Sequence, residues 1–280
     1  MELKKLNTLF HSTAKISVLK SIIKNGFSPS YAKEKFLDRD VIIAMVSFSN
    51  IPIFEARSQV DYGKYSIGLK REWGIKNKLH PVTYTYLGSE KEISLNKLIK
   101  DFALFQSAEA LASITNSVSF FEFQNFSENF TNLYKAILTT GNAPEIKKYF
   151  EEIFVDVDEL QLFFKHYIDQ NKRGKQVYCF NDREWRFIPN INRKMYYATT
   201  ASGDSIAEYE QILLTKKPHL KNIRLDFDLE DIEFIMVKKN SEIKSVLQVL
   251  QTRFSKVRVQ NSIENGDLTV FSFEKLYNSL

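Results

Sequence analysis

The period of the apolar residues divides the chain into strand-rich ends and a helical middle. Residues 6–10 read as a short strand that ends at His11-Ser12-Thr13. Ser12 or Thr13 stands where it can cap a helix whose apolar positions recur at Ile16, Leu19, Ile22 and Ile23. Asn25-Gly26 ends that helix, because glycine takes the left-handed position after a helix without a steric penalty. Residues 41–48 are almost continuously apolar, as expected of a strand buried on both faces. A helix is predicted over residues 53–60, and strands over 65–69 and 81–86. Gly68, inside the first of these strands, either admits a close neighbour or ligand or marks a bulge.

From about residue 93 to 171 the spacing turns helical, notably over 95–113, 126–138 and 157–168, with a break at Gly141-Asn142-Ala143-Pro144. The phenylalanines Phe120, Phe121, Phe123, Phe126 and Phe130 read as the interior of this block. Beyond it, Tyr178-Cys179-Phe180 reads as a strand and Asn181-Asp182 as a turn. In the next strand, Arg183-Glu184-Trp185-Arg186-Phe187-Ile188-Pro189, side chains alternate faces. Trp185 and Phe187 then pack on a core, while Glu184 and Arg186 offer a carboxylate and a guanidinium to a cleft. The competing reading is an edge strand carrying a surface ion pair. Further strands are predicted at 223–227, 233–237, 257–259 and 268–273, with a helix at 241–250. This order predicts one α+β domain over residues 1–280, on a mixed, mainly antiparallel sheet, with a helical insertion at 93–171.

Composition narrows the chemistry. The 280 residues are 44% hydrophobic and 14% aromatic, enough for a sizeable core. The single cysteine, Cys179, excludes an internal disulfide and argues against a thiolate zinc site, as in a reducing cytosol. The first residues lack the apolar stretch of a signal peptide, and no apolar run reaches the roughly 18 residues of a spanning helix. A soluble cytoplasmic protein with no membrane contact is expected. The net charge of +5 is uneven: residues 1–90 hold 14 Lys and Arg against 8 Asp and Glu, the remainder 25 against 26. Such a basic third suits phosphate groups or a solvated lysine surface, and no zinc-finger or RNP pattern supports nucleic acid.

Phosphate-loop, dinucleotide-fingerprint, zincin and nucleophile-elbow motifs are all absent. His11, His80, His166 and His219 show no metal-ligand spacing, so no metal site is predicted, although folding can still gather distant histidines. His11 sits at a strand-to-helix junction, where free backbone N–H groups meet anions.

Leu9-Phe10-His11-Ser12-Thr13 and Leu19-Lys20-Ser21-Ile22-Ile23-Lys24-Asn25-Gly26-Phe27 resemble the opening of the AbiGi abortive-infection family of bacterial anti-phage proteins. The resemblance continues through Tyr62-Gly63-Lys64-Tyr65-Ser66-Ile67-Gly68-Leu69, Glu72-Trp73-Gly74-Ile75 and Pro81-Val82-Thr83-Tyr84, and closes at Arg183-Glu184-Trp185-Arg186 with Pro189. It spans roughly residues 6–240. It departs at Ser49-Asn50, where cysteine and aspartate are common in that family. The family is described as one half of a two-gene phage-resistance system, often the antitoxin half, which implies a protein partner encoded by a neighbouring gene.

More distantly, the order of motifs is similar to that of ADP-ribosyltransferase-like toxins such as the DarT family. That second resemblance implies an NAD-using site that transfers ADP-ribose or hydrolyses NAD. Breaking the nicotinamide–ribose bond passes through an oxocarbenium-like state that a carboxylate stabilises, the role of Glu184. His11, with Ser12 and Thr13, would hold the adenosine-side ribose, Arg186 or an N-terminal Lys or Arg the pyrophosphate, and Tyr62 or Tyr65 the nicotinamide ring. The alternative is a non-catalytic antitoxin that acts by binding its partner.

Overall fold

The computed structural model describes residues 7–36, 39–53, 55, 63–99, 162–170, 176–189, 211–216 and 220–278. Two compact units emerge: residues Met1–Tyr84 together with Tyr167–Leu280, and residues Thr85–His166. Most of the stretch expected to form the helical insertion lies outside the described residues. So does most of the helix expected at 53–60.

The first unit is built on a sheet. Its strands are β1 (Thr8–Thr13), β2 (Ser30–Phe36), β3 (Arg39–Ser49), β4 (Tyr65–Lys70) and β5 (His80–Pro81). After a hairpin of β6 (Ile168–Gln170) and β7 (Gln176–Tyr178) come β8 (Glu184–Phe187), β9 (Ile232–Val237) and β10 (Thr269–Ser272). The sheet order is β10-β9-β4-β1-β3-β8-β5, with β2 added to β3. Among the described residues, every pairing in this sheet is antiparallel except that of β9 with β10. The fold is therefore α+β on a mixed, mainly antiparallel sheet, as the alternation predicts.

One face of the sheet carries the helices α1 (Ile16–Asn25), α3 (Ile243–Phe254) and α4 (Lys256–Glu264), while α2 (Arg71–Lys76) follows β4 directly. Leu19, Ile22 and Ile23 of α1 meet Val246, Leu250 and Phe254 of α3, Val259 of α4, and Leu9, Val46, Phe48, Ile67 and Leu69 of the strands in a single core. β3 is buried on both faces through Ile42, Ile43, Ala44, Met45 and Val46, which explains its unbroken apolar run. Gly68 answers its own question: a Cβ there would stand 2.2 Å from the Phe234 ring, so the glycine makes room for a neighbouring aromatic.

Several local expectations are corrected. Neither Ser12 nor Thr13 caps α1; β1 runs through both, the N-cap is Lys15, and no side chain bonds there. Gly26 does close α1, at φ 75° with its N–H on Ile22 O. Residues 257–259 are helical within α4, where Ser255 accepts from Arg258 N–H and the buried Val259 faces the core. Residues 223–227 form only an isolated bridge between Phe27 and Leu225. The described end of the expected helix at 157–168 contains the short strand Phe164–His166 and the start of β6.

Candidate functional site

β8 reaches the sheet through a tight approach. The 3-10 turn Cys179–Asp182 leads into Arg183, which turns the chain in the left-handed region at φ 43°. Asn50 N–H then donates to Arg183 O at 3.2 Å, Glu184 N–H to Tyr84 Oη at 2.8 Å, and Val82 N–H to Glu184 O at 2.8 Å. Both backbone groups of Glu184, and the carbonyl before it, are thus held before its side chain is considered.

The carboxylate and the guanidinium of this strand bond to each other. Arg186 Nε donates to Glu184 Oε1 at 2.9 Å, and Arg186 Nη2 reaches Glu34 Oε2 at 2.5 Å. Arg186 is 0% exposed and Glu184 7%, whereas Trp185 and Phe187 are only half-buried. The expected division is therefore reversed in degree: the polar face of β8 is the more deeply buried one. A guanidinium tolerates this only when carboxylates and hydrogen bonds replace its water. Burial alone would disfavour the charged guanidinium. Glu34 and Glu184 more than offset that and hold it above the ordinary arginine range.

Register decides which side each predicted residue occupies. Ser49 of β3 pairs with Phe10 on one side and with Glu184 on the other, so all three share a face. His11, the next residue after Phe10, projects from the opposite face. There its ring meets Phe27 and Phe48 at 5.5 and 5.8 Å between centroids, and Nδ1 donates to Ser47 O at 2.8 Å. Burial lowers the imidazole pKa, and the bond to Ser47 opposes that only in part. The neutral ring consequently carries its proton on Nδ1. The expectation that His11 and Glu184 line one cleft is corrected, because the sheet stands between them.

The other candidates divide in the same way. Ser12 lies on the Glu184 face and bonds Ser66 Oγ at 2.8 Å. Thr13 pairs with Tyr65, which sits in the helix-side core at 7% exposure. The Tyr65 hydroxyl donates to Glu242 Oε1 at 2.8 Å, and burial together with that carboxylate pushes its pKa up to about 12. This places Tyr65 in packing, with its ring committed to the core. Tyr62 lies outside the described residues. Glu34, the second partner of Arg186, was not singled out in the sequence; the only local signal is one acid between Lys33 and Lys35.

A surface groove of about 510 Å³, lined by Trp73, Lys76, Asp226, Arg253 and Arg258 among others, contains none of the predicted site residues. Arg253 is committed there to Ile23 O, Phe227 O and Asp226, and Arg258 to Asp228 and Glu230. Among the described residues no group of three His, Cys, Asp or Glu side chains gathers to hold a metal ion. No helix among them is long and apolar enough to cross a membrane.

Comparison with known proteins agrees with the motif order. A family model described as "Putative abortive phage resistance protein AbiGi, antitoxin" matches residues 17–238. A protein of Lactococcus lactis subsp. cremoris named Abortive phage resistance protein AbiGi is 28% identical over 219 residues, covering 74% of this chain and 76% of that protein. No solved structure matches the chain. With the match running from α1 through the whole of β9, the chain belongs to the AbiGi family.

Proposed function

We propose that this protein is the antitoxin component of a two-gene abortive phage resistance system and acts by binding its partner protein. The observation that carries this reading is the antitoxin description of the family model over residues 17–238. The geometry of β8 supports a non-catalytic role. Glu184 is bonded to Arg186 and lies across the sheet from His11, so the pair invoked for NAD has lost its common cleft. Transfer of ADP-ribose through His11 and Glu184 acting together is therefore disfavoured.

Co-expression with the product of the adjacent gene tests the reading. The expected result is co-purification of the two proteins and relief of the partner's toxicity, both retained in a folded Glu184→Gln variant. Absence of any complex overturns it. A parallel incubation with labelled NAD and cell extract is expected to yield neither nicotinamide nor transferred label. Turnover by the wild type that disappears in Glu184→Gln would restore the ADP-ribosyl transfer reading.

A further inference from the structure

The second unit holds a cluster that the motifs did not connect. Residues 90–99 are helical, and Ser89 caps the helix by accepting Glu92 N–H at 3.2 Å, while Glu92 Oε2 accepts Gly88 N–H at 2.5 Å. These bonds fix the Glu92 side chain, which is 6% exposed. Its other oxygen, Oε1, faces His166 Nε2 at 3.4 Å, from the end of the strand Phe164–His166. Asn96 follows Glu92 by four residues and so lies on the same helix face. Asn96 Oδ1 and His166 Nε2 are both buried without a hydrogen-bond partner.

We propose that Glu92, Asn96 and His166 bind one divalent transition-metal cation. The carboxylate oxygen, the amide oxygen and the nitrogen of a neutral imidazole are all electron-pair donors. Leaving Asn96 Oδ1 and His166 Nε2 buried without a partner is costly, and a cation bound between them and Glu92 Oε1 satisfies both. The spacing fits as well. Two ligands each about 2.0–2.1 Å from a tetrahedral ion stand about 3.3–3.4 Å apart, and the Glu92–His166 separation is 3.4 Å. A simple ion pair accounts for less: 3.4 Å is long for an N–H···O bond, and Asn96 Oδ1 stays orphaned. One imidazole beside two oxygens suits Zn²⁺ or Mn²⁺, with a remaining position for water. The Gly88 N–H bond on Glu92 Oε2 is the outer contact that orients the carboxylate. This site is independent of the antitoxin reading.

The experiment uses the full chain without an affinity tag, stripped with a chelator and titrated with Zn²⁺ or Mn²⁺ alone. One equivalent is expected to bind, with affinity falling at least about tenfold in Glu92→Gln and in His166→Gln. No stoichiometric binding by the wild type, or binding unchanged in the two variants, overturns the site. Should a variant fail to fold, the wild type decides. Mn²⁺ is expected to broaden the His166 imidazole resonance ahead of those of the other three histidines, and equal broadening of all four overturns the proposal.

Discussion

His11 and Glu184 project from opposite faces of one sheet, although each lies a single strand away from β3. Ser49 shows why: it pairs with both Phe10 and Glu184, which leaves His11 on the far side among Phe27 and Phe48. A one-residue offset in register across β3 thus separates two groups that the order of motifs would join. The polar groups on each side are then used for packing. His11 tethers β1 to Ser47, and Glu184 neutralises Arg186.

Removing the guanidinium should be the costliest single change in β8. Arg186→Met leaves Glu34 and Glu184 facing each other without their common cation, and loss of one partner from a buried ion pair costs about 3–5 kcal/mol. Urea denaturation should show an unfolding free energy lower by that amount, read as a shift of the midpoint to lower urea. A variant that also carries Glu184→Leu should recover part of the loss. A midpoint within error of the wild type would mean that the triad contributes nothing.

His11 predicts a pH dependence of definite sign. Its folded pKa lies below the unfolded value near 6.5, so folding favours the neutral ring. That contribution is complete above pH 6.5 and is lost as pH falls through the folded pKa. Stability measured from pH 7.5 down to 5 should therefore decline more steeply in the wild type than in His11→Asn. Parallel slopes would remove His11 as the cause.

Gly68 and Phe234 should behave as a coupled pair. Gly68→Ala places a Cβ 2.2 Å from the Phe234 ring, which also packs on Phe10 and Phe271. Overpacking of this kind costs about 1–3 kcal/mol. Combined with Phe234→Leu, the alanine should cost less than it does alone, and a double-mutant cycle on thermal or urea unfolding reads the difference. Additive effects would contradict the close approach.

Tyr65→Phe removes the hydroxyl that joins β4 to Glu242 while keeping the ring in the core. A hydrogen bond to a charged group contributes about 1.5–3 kcal/mol, and partial solvation of Glu242 puts the expected loss at the lower end. The variant should also lose the tyrosine that ionises at about 12 in an ultraviolet titration. An unchanged titration would show that Tyr65 is not the displaced group.

Elements whose apolar pattern is local can be read directly along the chain. The helix rising from Ile16 and closing at Gly26, the doubly buried β3, and the alternation along β8 are all legible, because neighbouring residues in the chain set them. The mainly antiparallel sheet follows from their order. Which strand faces which, and in what register, emerges only when the chain folds. Glu34 meets Arg186 across 152 positions of sequence, and nothing in the run Lys33-Glu34-Lys35 marks it. The start of α4 likewise carries a strand-like pattern, because Val257 and Val259 alternate while only Val259 is covered by the core. His166 looked isolated until folding set it beside Glu92. Spacing in sequence carries no information on these pairs, because burial, register and charge compensation act between segments that meet only once the chain has folded.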